Sequence, residues 1–262
     1  MTTNEPLLLI DDANAVRTIH VNRPDKLNAL NAATIDALDA AFADAGFDPS
    51  VRVVVLTGSG PKAFVAGADI SEMNTLTPVQ GRDFSLRGTR MMRRVEKLTK
   101  PVIAMVNGYA FGGGLELAMC CHLRIAADTA KMGQPEINLG LIPGFGGTQR
   151  LLRLAGRAAT LELCLTGAPI TAERALQLGI VNRVVPTAEL ESDTMKLAAQ
   201  LANAAPLALR GMLDCVNIGG ECAIEEGLEY ESAQFGLVFA TDDMREGTSA
   251  FLEKRKPAFN GR

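Results

Sequence analysis

The 262-residue chain carries two histidines, His20 and His122, two tyrosines and no tryptophan. That scarcity excludes a multi-histidine metal site, and any Ser–His or Cys–His nucleophile pair would have to use one of those two rings. His20 alternates with Ile19 and Val21 in a strand-like run and His122 adjoins another such run, so both are read as structural. The G-x-S-x-G turn of hydrolases does not occur. The five cysteines, Cys120, Cys121, Cys164, Cys215 and Cys222, form no C-x-x-C pair and are odd in number, so no disulfide framework is expected. They read as buried free thiols. Cys120-Cys121-His122 is not a ligand set, because adjacent residues point apart and further ligands are missing.

Long apolar runs are missing too. No stretch of about 18 uninterrupted apolar residues occurs, so no membrane span is expected. Met1-Thr2-Thr3-Asn4-Glu5-Pro6 lacks the basic start of a signal peptide, which points to the cytoplasm. Thirty acidic against 26 basic residues give a net charge of −4, without the basic excess of a general nucleic-acid binder, so an anion would be bound locally. Glycine clusters do not make nucleotide loops: Leu117 and Gln149 stand where a third glycine would complete G-x-G-x-x-G after Gly112 and Gly144, and no P-loop is present.

What is there is 47% hydrophobic residues, 21% charged residues and 25 glycines, enough for a soluble globular chain with a substantial core. Residues 7–10 and 16–21 predict paired strands across Asp11-Asp12-Ala13-Asn14. Helical spacing of Ile35, Leu38, Ala41 and Phe42 follows, with Asn31 as N-cap and Gly46 as the stop. Residues 51–57, 101–106 and 123–126 predict buried strands, and 63–70 a loop. Helices are predicted at 81–98, 115–119, 147–154, 171–178, 188–204, 206–217, 224–239 and 241–255, the last ended by Pro257. A strand, a glycine-containing turn and a helix recur at 51–95, 101–120 and 123–154 without recognisable sequence similarity. The class is therefore α/β up to about residue 195, with strands ending near Val185 and a purely helical remainder.

Gly112-Gly113-Gly114-Leu115-Glu116 puts glycines between a buried strand and a helix, with a carboxylate in the first turn. Unpartnered N–H groups at a helix start can hold a developing negative charge, and residues without side chains let an oxygen approach. The same residues also suit a plain tight turn with Glu116 complementing the helix dipole. Ala66-Gly67-Ala68-Asp69-Ile70 is a second small-residue loop that could add a donor or serve packing alone. Glu136 lies in an apolar stretch, where a carboxyl tends to hold its proton near neutral pH.

These residues carry a resemblance to the enoyl-CoA hydratases of the crotonase superfamily. It runs through Asn22-Arg23-Pro24 with Leu27-Asn28-Ala29-Leu30, Ala66 to Ile70, Pro101 to Ala104 with Gly114 to Ala118, Gln134-Pro135-Glu136, Pro143 to Arg150, and Phe251 to Lys256. The resemblance implies a crotonase-like spiral of repeated β-β-α units at 1–195 and a helical trimerisation region at 196–262. It implies hydration of a 2-enoyl-CoA to a 3-hydroxyacyl-CoA, with the N–H groups of Ala68 and Gly113 as oxyanion hole. Glu116 would activate water and Glu136 would protonate the α-carbon. The acyl-CoA thioester would be the partner, met by Lys26, Leu27, Ala66, Ala68, Asp69, Ile70, Ser71, Gly113 and Lys254, with no cofactor beyond the coenzyme A of the substrate and no metal. Neither nucleic acid nor membrane is expected as partner, and a homotrimer or homohexamer is the implied assembly. Ser71 stands where many relatives carry lysine, which removes one phosphate contact, and His122 replaces a frequent aspartate. Because both glutamates are present, hydration is favoured over the double-bond shift of the isomerase relatives. A fold-sharing CoA- or RNA-binding protein without turnover is the alternative of another class.

Overall fold

A computed structural model describes residues 5–262; the leader expectation at Met1 to Asn4 falls outside the described residues. The chain opens with a hairpin, β1 (Leu8–Ala13) and β2 (Val16–Val21). Asp11 to Ala13, expected as turn, belong to β1; the reversal is made by Asn14 and Ala15, both at positive φ, as a two-residue hairpin requires. Helix α1 (Ala32–Phe47) follows, with the Asn31 side chain accepting from the Thr34 N–H. It runs through Gly46, the expected stop, because the chain turns out only at Asp48.

Three similar units come next. The first is β3 (Val53–Gly58), β4 (Ala63–Val65), the single turn α2 (Ile70–Met73) and α3 (Pro78–Glu96). The second is β5 (Val102–Val106), β6 (Tyr109–Phe111) and α4 (Gly113–Cys120). The third is β7 (Leu123–Ala127), β8 (Lys131–Gly133), a 3-10 turn (Pro135–Leu139) and α5 (Gly147–Thr166). β9 (Ile170–Thr171), α6 (Ala172–Gln177) and β10 (Arg183–Val185) complete the sheets. Each unit lays its first strand in a six-stranded sheet of order β1-β2-β3-β5-β7-β10 and its second in a four-stranded sheet of order β4-β6-β8-β9. The chain thus advances as a spiral, and the recurring pattern at 51–154 is this β-β-α repeat. Every residue of β3 and β5 is buried, which is why their sequences run apolar without alternation.

Helix α3 starts earlier than expected, since Thr77 and Gln80 form a reciprocal cap and Pro78 occupies the first turn. Its buried Phe84, Gly88, Met91, Met92 and Val95 follow one helical face. α5 continues past the expected end at 154, with a break at Gly156, whose φ of 76° lies in the left-handed region.

The helical remainder consists of α7 (Leu190–Ala202), α8 (Pro206–Gly219), α9 (Ile224–Val238) and α10 (Asp242–Leu252). Residue 195, where the division into 1–195 and 196–262 was expected, lies inside α7, which packs whole against β3, β5 and β7. α10 stops five residues before Pro257, where Lys254 takes a positive φ. The tail then folds back: the Asn260 and Gly261 N–H groups donate to the buried Asp243 carboxylate at 2.7 and 2.9 Å. Among the described residues no helix is long and apolar enough to cross a membrane, and the five cysteines are free.

Candidate active site

The small sheet assembles the site. β4, β6 and β8 are parallel neighbours, pairing Ala63 with Tyr109, Val65 with Ala110, and Phe111 with Gly133. Ala68 follows the end of β4, Gly113 that of β6 and Glu136 that of β8, so three segments distant in sequence emerge side by side at strand C-terminal ends. That edge is where open parallel sheets place ligands.

Ala68 is held by a bridge to Leu30, in which the Leu30 N–H donates to Gly67 and the Asp69 N–H to Leu30. The Ala68 N–H itself has no acceptor among the described residues, and Gly113 opens α4, where the helix supplies none. The two N–H groups are close: a methyl built on Gly113 would lie 3.5 Å from the Ala68 nitrogen. Gly112 turns into the helix with a φ of 49°, and a side chain there would come within 2.6 Å of Glu136 Oε1.

Glu116 is 1% exposed in α4, and its Oε1 accepts from the Phe145 and Gly147 N–H groups at 2.8 and 2.5 Å. Burial pushes its carboxyl up to about 7; the Gly147 N–H opposes this, and the charge of nearby Glu136 adds to it. Burial likewise raises Glu136. Buried Gln134, with its amide nitrogen turned to Glu136, donates to both carboxylate oxygens at 3.1 and 3.0 Å. The clamp on Glu116 is braced from behind, where Arg150 donates to the Phe145 carbonyl and pairs with Glu96 of α3. The site therefore offers two neighbouring N–H groups without acceptors among the described residues and two carboxyl groups that change protonation nearer neutrality than ordinary carboxylates.

A family model described as enoyl-CoA hydratase/isomerase matches residues 11–262. The chain belongs to the enoyl-CoA hydratase/isomerase family. It is 44% identical over 249 residues to the short-chain-enoyl-CoA hydratase of Clostridium acetobutylicum, covering 95% of each chain. To the crotonyl-CoA hydratase of Syntrophomonas wolfei it is 44% identical over 252 residues, 96% of this chain and 97% of that one. The crystal structure of enoyl-CoA hydratase from Bacillus anthracis superposes with a TM-score of 0.95 at 38% identity, covering 98% of this chain and all of the other. The crotonase-like spiral read from the sequence is the fold of this family.

Of the remaining residues expected at the substrate, Lys26 and Leu27 form a turn beside the Ala66 loop, with the Ala66 N–H donating to the Leu27 carbonyl at 3.0 Å. Asp69 pairs with Arg23, and its carboxylate is held below its ordinary range first by the Ser71 hydroxyl and then by Arg23. Ser71 is thus engaged in starting α2, which Asp69 caps; Ile70 is half-exposed there. Lys254 lies exposed after α10, its N–H donating to the Phe251 carbonyl. His122 accepts from the Val102 N–H at Nδ1 and bonds the Glu96 carbonyl through Nε2, so both ring nitrogens serve the fold. Gln134, Phe145, Gly147 and Arg150 were missed as site-forming residues although they stand within the recognised motifs; only their partners reveal them.

Proposed function

We propose that the chain adds water across the 2,3 double bond of a 2-enoyl-CoA to give a 3-hydroxyacyl-CoA. The observation that carries this is the meeting of two carboxyl groups, the buried Glu116 and the half-buried Glu136, with the unpartnered N–H groups of Ala68 and Gly113. The thioester carbonyl oxygen lies on the two N–H groups, and a water sits between the carboxyls. As the water oxygen bonds to the β-carbon, Glu116 takes its proton and the double-bond electrons pass into an enolate held by the two N–H groups. Glu136 then delivers its proton to the α-carbon, and a proton passing from Glu116 to Glu136 resets the pair. Each donor of such a hole supplies about 2.7–4 kcal/mol and each acid or base role about 10²–10⁴ in rate.

No step needs a metal, a nucleotide or a prosthetic group. Lys26, Leu27, Ala66, Asp69, Ile70 and Ser71 frame the thioester arm, and Lys254 offers charge for the phosphates. The exposed apolar side chains of α8 and α9 support self-association, as a homotrimer or a dimer of trimers; sedimentation at the mass of one chain would overturn that assembly. Incubated with crotonyl-CoA, the protein is expected to bleach the enoyl-thioester absorbance, and Glu116→Gln to slow this by about 10²–10⁴. Unchanged absorbance, or full rate in the variant, overturns the reading. A rise in absorbance with a 3-enoyl-CoA and no hydration would favour an isomerase.

A further inference from the structure

Two peptide groups aim their N–H at Glu116, and whatever holds those peptides decides where its carboxylate stands. The Phe145 N–H belongs to the 144–145 peptide, whose carbonyl accepts from the Ser85 hydroxyl of α3. The Gly147 N–H belongs to the 146–147 peptide, reached through Gly146 at a φ of 97°. The peptide between them gives its carbonyl, that of Phe145, to the Arg150 guanidinium. Gly146 leaves room for this contact, since a methyl built there would lie 2.5 Å from Arg150 Nη1. Nε of the same guanidinium pairs with Glu96 at the end of α3, the two side chains being only 10% and 19% exposed. Glu96 is fixed in turn, its backbone carbonyl accepting from His122 Nε2 and from the Asn217 amide of α8.

A neutral donor could hold one carbonyl; the arginine fork holds a carbonyl and a carboxylate at once, and burial leaves its charge poorly screened. The charged and titratable groups facing Glu116 are Glu136 of the 3-10 turn and, on α5, Arg150 and the Cys164 thiol, which burial keeps protonated. Glu96 of α3 and Cys120 of α4 face Arg150. Burial, and after it the Glu136 charge, raise Glu116, while the Gly147 and Phe145 N–H groups and the Arg150 cation favour its carboxylate form. We propose that Arg150, anchored by Glu96, is a positioning residue for the base: its fork fixes the turn that clamps Glu116, and its cation faces the carboxylate that takes the proton from water. The role in turnover rests on the hydratase reading; the effect on Glu116 rests on the contacts alone.

The test follows crotonyl-CoA hydration against pH in the full chain and three variants, reading kcat, KM and the acid limb, where Glu116 must lose its proton to act. Arg150→Met is expected to lower kcat by about 10²-fold with KM little changed, and to move the acid limb to higher pH. Glu96→Gln is expected to move that limb to lower pH, because the same cation is left without its anion. Arg150→Lys should return the limb to its native place while recovering only part of kcat, since an ammonium supplies the charge but not the fork. A brace that merely supported the fold would shift the limb alike in Arg150→Met and Glu96→Gln, or in neither, and that outcome overturns the proposal. So does a native kcat in Arg150→Met; if that variant does not fold, an unmoved limb in Glu96→Gln overturns it instead. The carbon-13 resonance of the Glu116 carboxyl, assigned by its loss in Glu116→Gln, reads the same shifts without turnover. With no hydration of any enoyl-CoA the hydratase reading fails, while the positioning stands if Glu116 titrates higher in Arg150→Met and lower in Glu96→Gln. It falls if the curves coincide with that of the native chain.

Discussion

In α4 all eight residues are buried, whereas α9, with fifteen, buries none and leaves Ile224 and Phe235 about 70% exposed. The spiral closes its core within one chain; the last helices carry apolar faces that this chain alone does not cover. The lesson concerns where precision is spent. Close packing in the spiral holds Glu116 on the Phe145 and Gly147 N–H groups at 2.8 and 2.5 Å, and small changes there are felt at once. In α8 and α9 the same residue types have room.

The comparison can be broken with one kind of substitution placed in both regions. In α4, Gly114→Ala drives a methyl to 1.8 Å from the Val65 carbonyl oxygen, backbone that has no flexible end to yield. A loss on the order of 4 kcal/mol or more is expected, read as insoluble protein or collapse of the denaturation midpoint. In α9, Gly236→Ala meets nothing within 4 Å. There the better helix former should add up to about 1 kcal/mol, and a loss of several would show that this face is tightly covered.

Between these extremes lies Glu116, where the spiral gives up stability for chemistry. Its folded carboxyl holds its proton to about 7, above its ordinary 4.5. The native state therefore keeps that contribution in full below 4.5 and loses it as pH rises through about 7. Glu116→Gln carries no such charge, so between about pH 4 and alkaline pH its unfolding free energy should rise relative to that of the native chain by an amount on the order of 3 kcal/mol. Parallel pH curves for the two proteins would contradict the burial of that charge.

The large sheet was legible because β3, β5 and β7 are runs of buried β-branched and small residues with turn punctuation. The small sheet was not. β4, β6 and β8 have three residues each, too short to show a period, and 63–70 therefore read as loop. Consequently Ala68, Gly113 and Glu136 were visible as residues, through motif and resemblance, while the parallel pairing that sets them side by side was not. Asn31 as cap was readable from its own side-chain chemistry, whereas Gly46 failed as a stop because helix ends follow packing as well as propensity. The clamp of Phe145 and Gly147 on Glu116 uses backbone N–H groups, which leave no mark in side-chain identity.

The most direct test of the paired-carboxylate account is the pH dependence of kcat/KM for crotonyl-CoA hydration in the native chain and in Glu116→Gln. With one proton shared between Glu116 and Glu136 in the active form, the native profile should be bell-shaped, and the slow residual turnover of the variant should lose the acid limb. A variant that keeps the same bell, or a native profile flat across the range, would contradict Glu116 as the base.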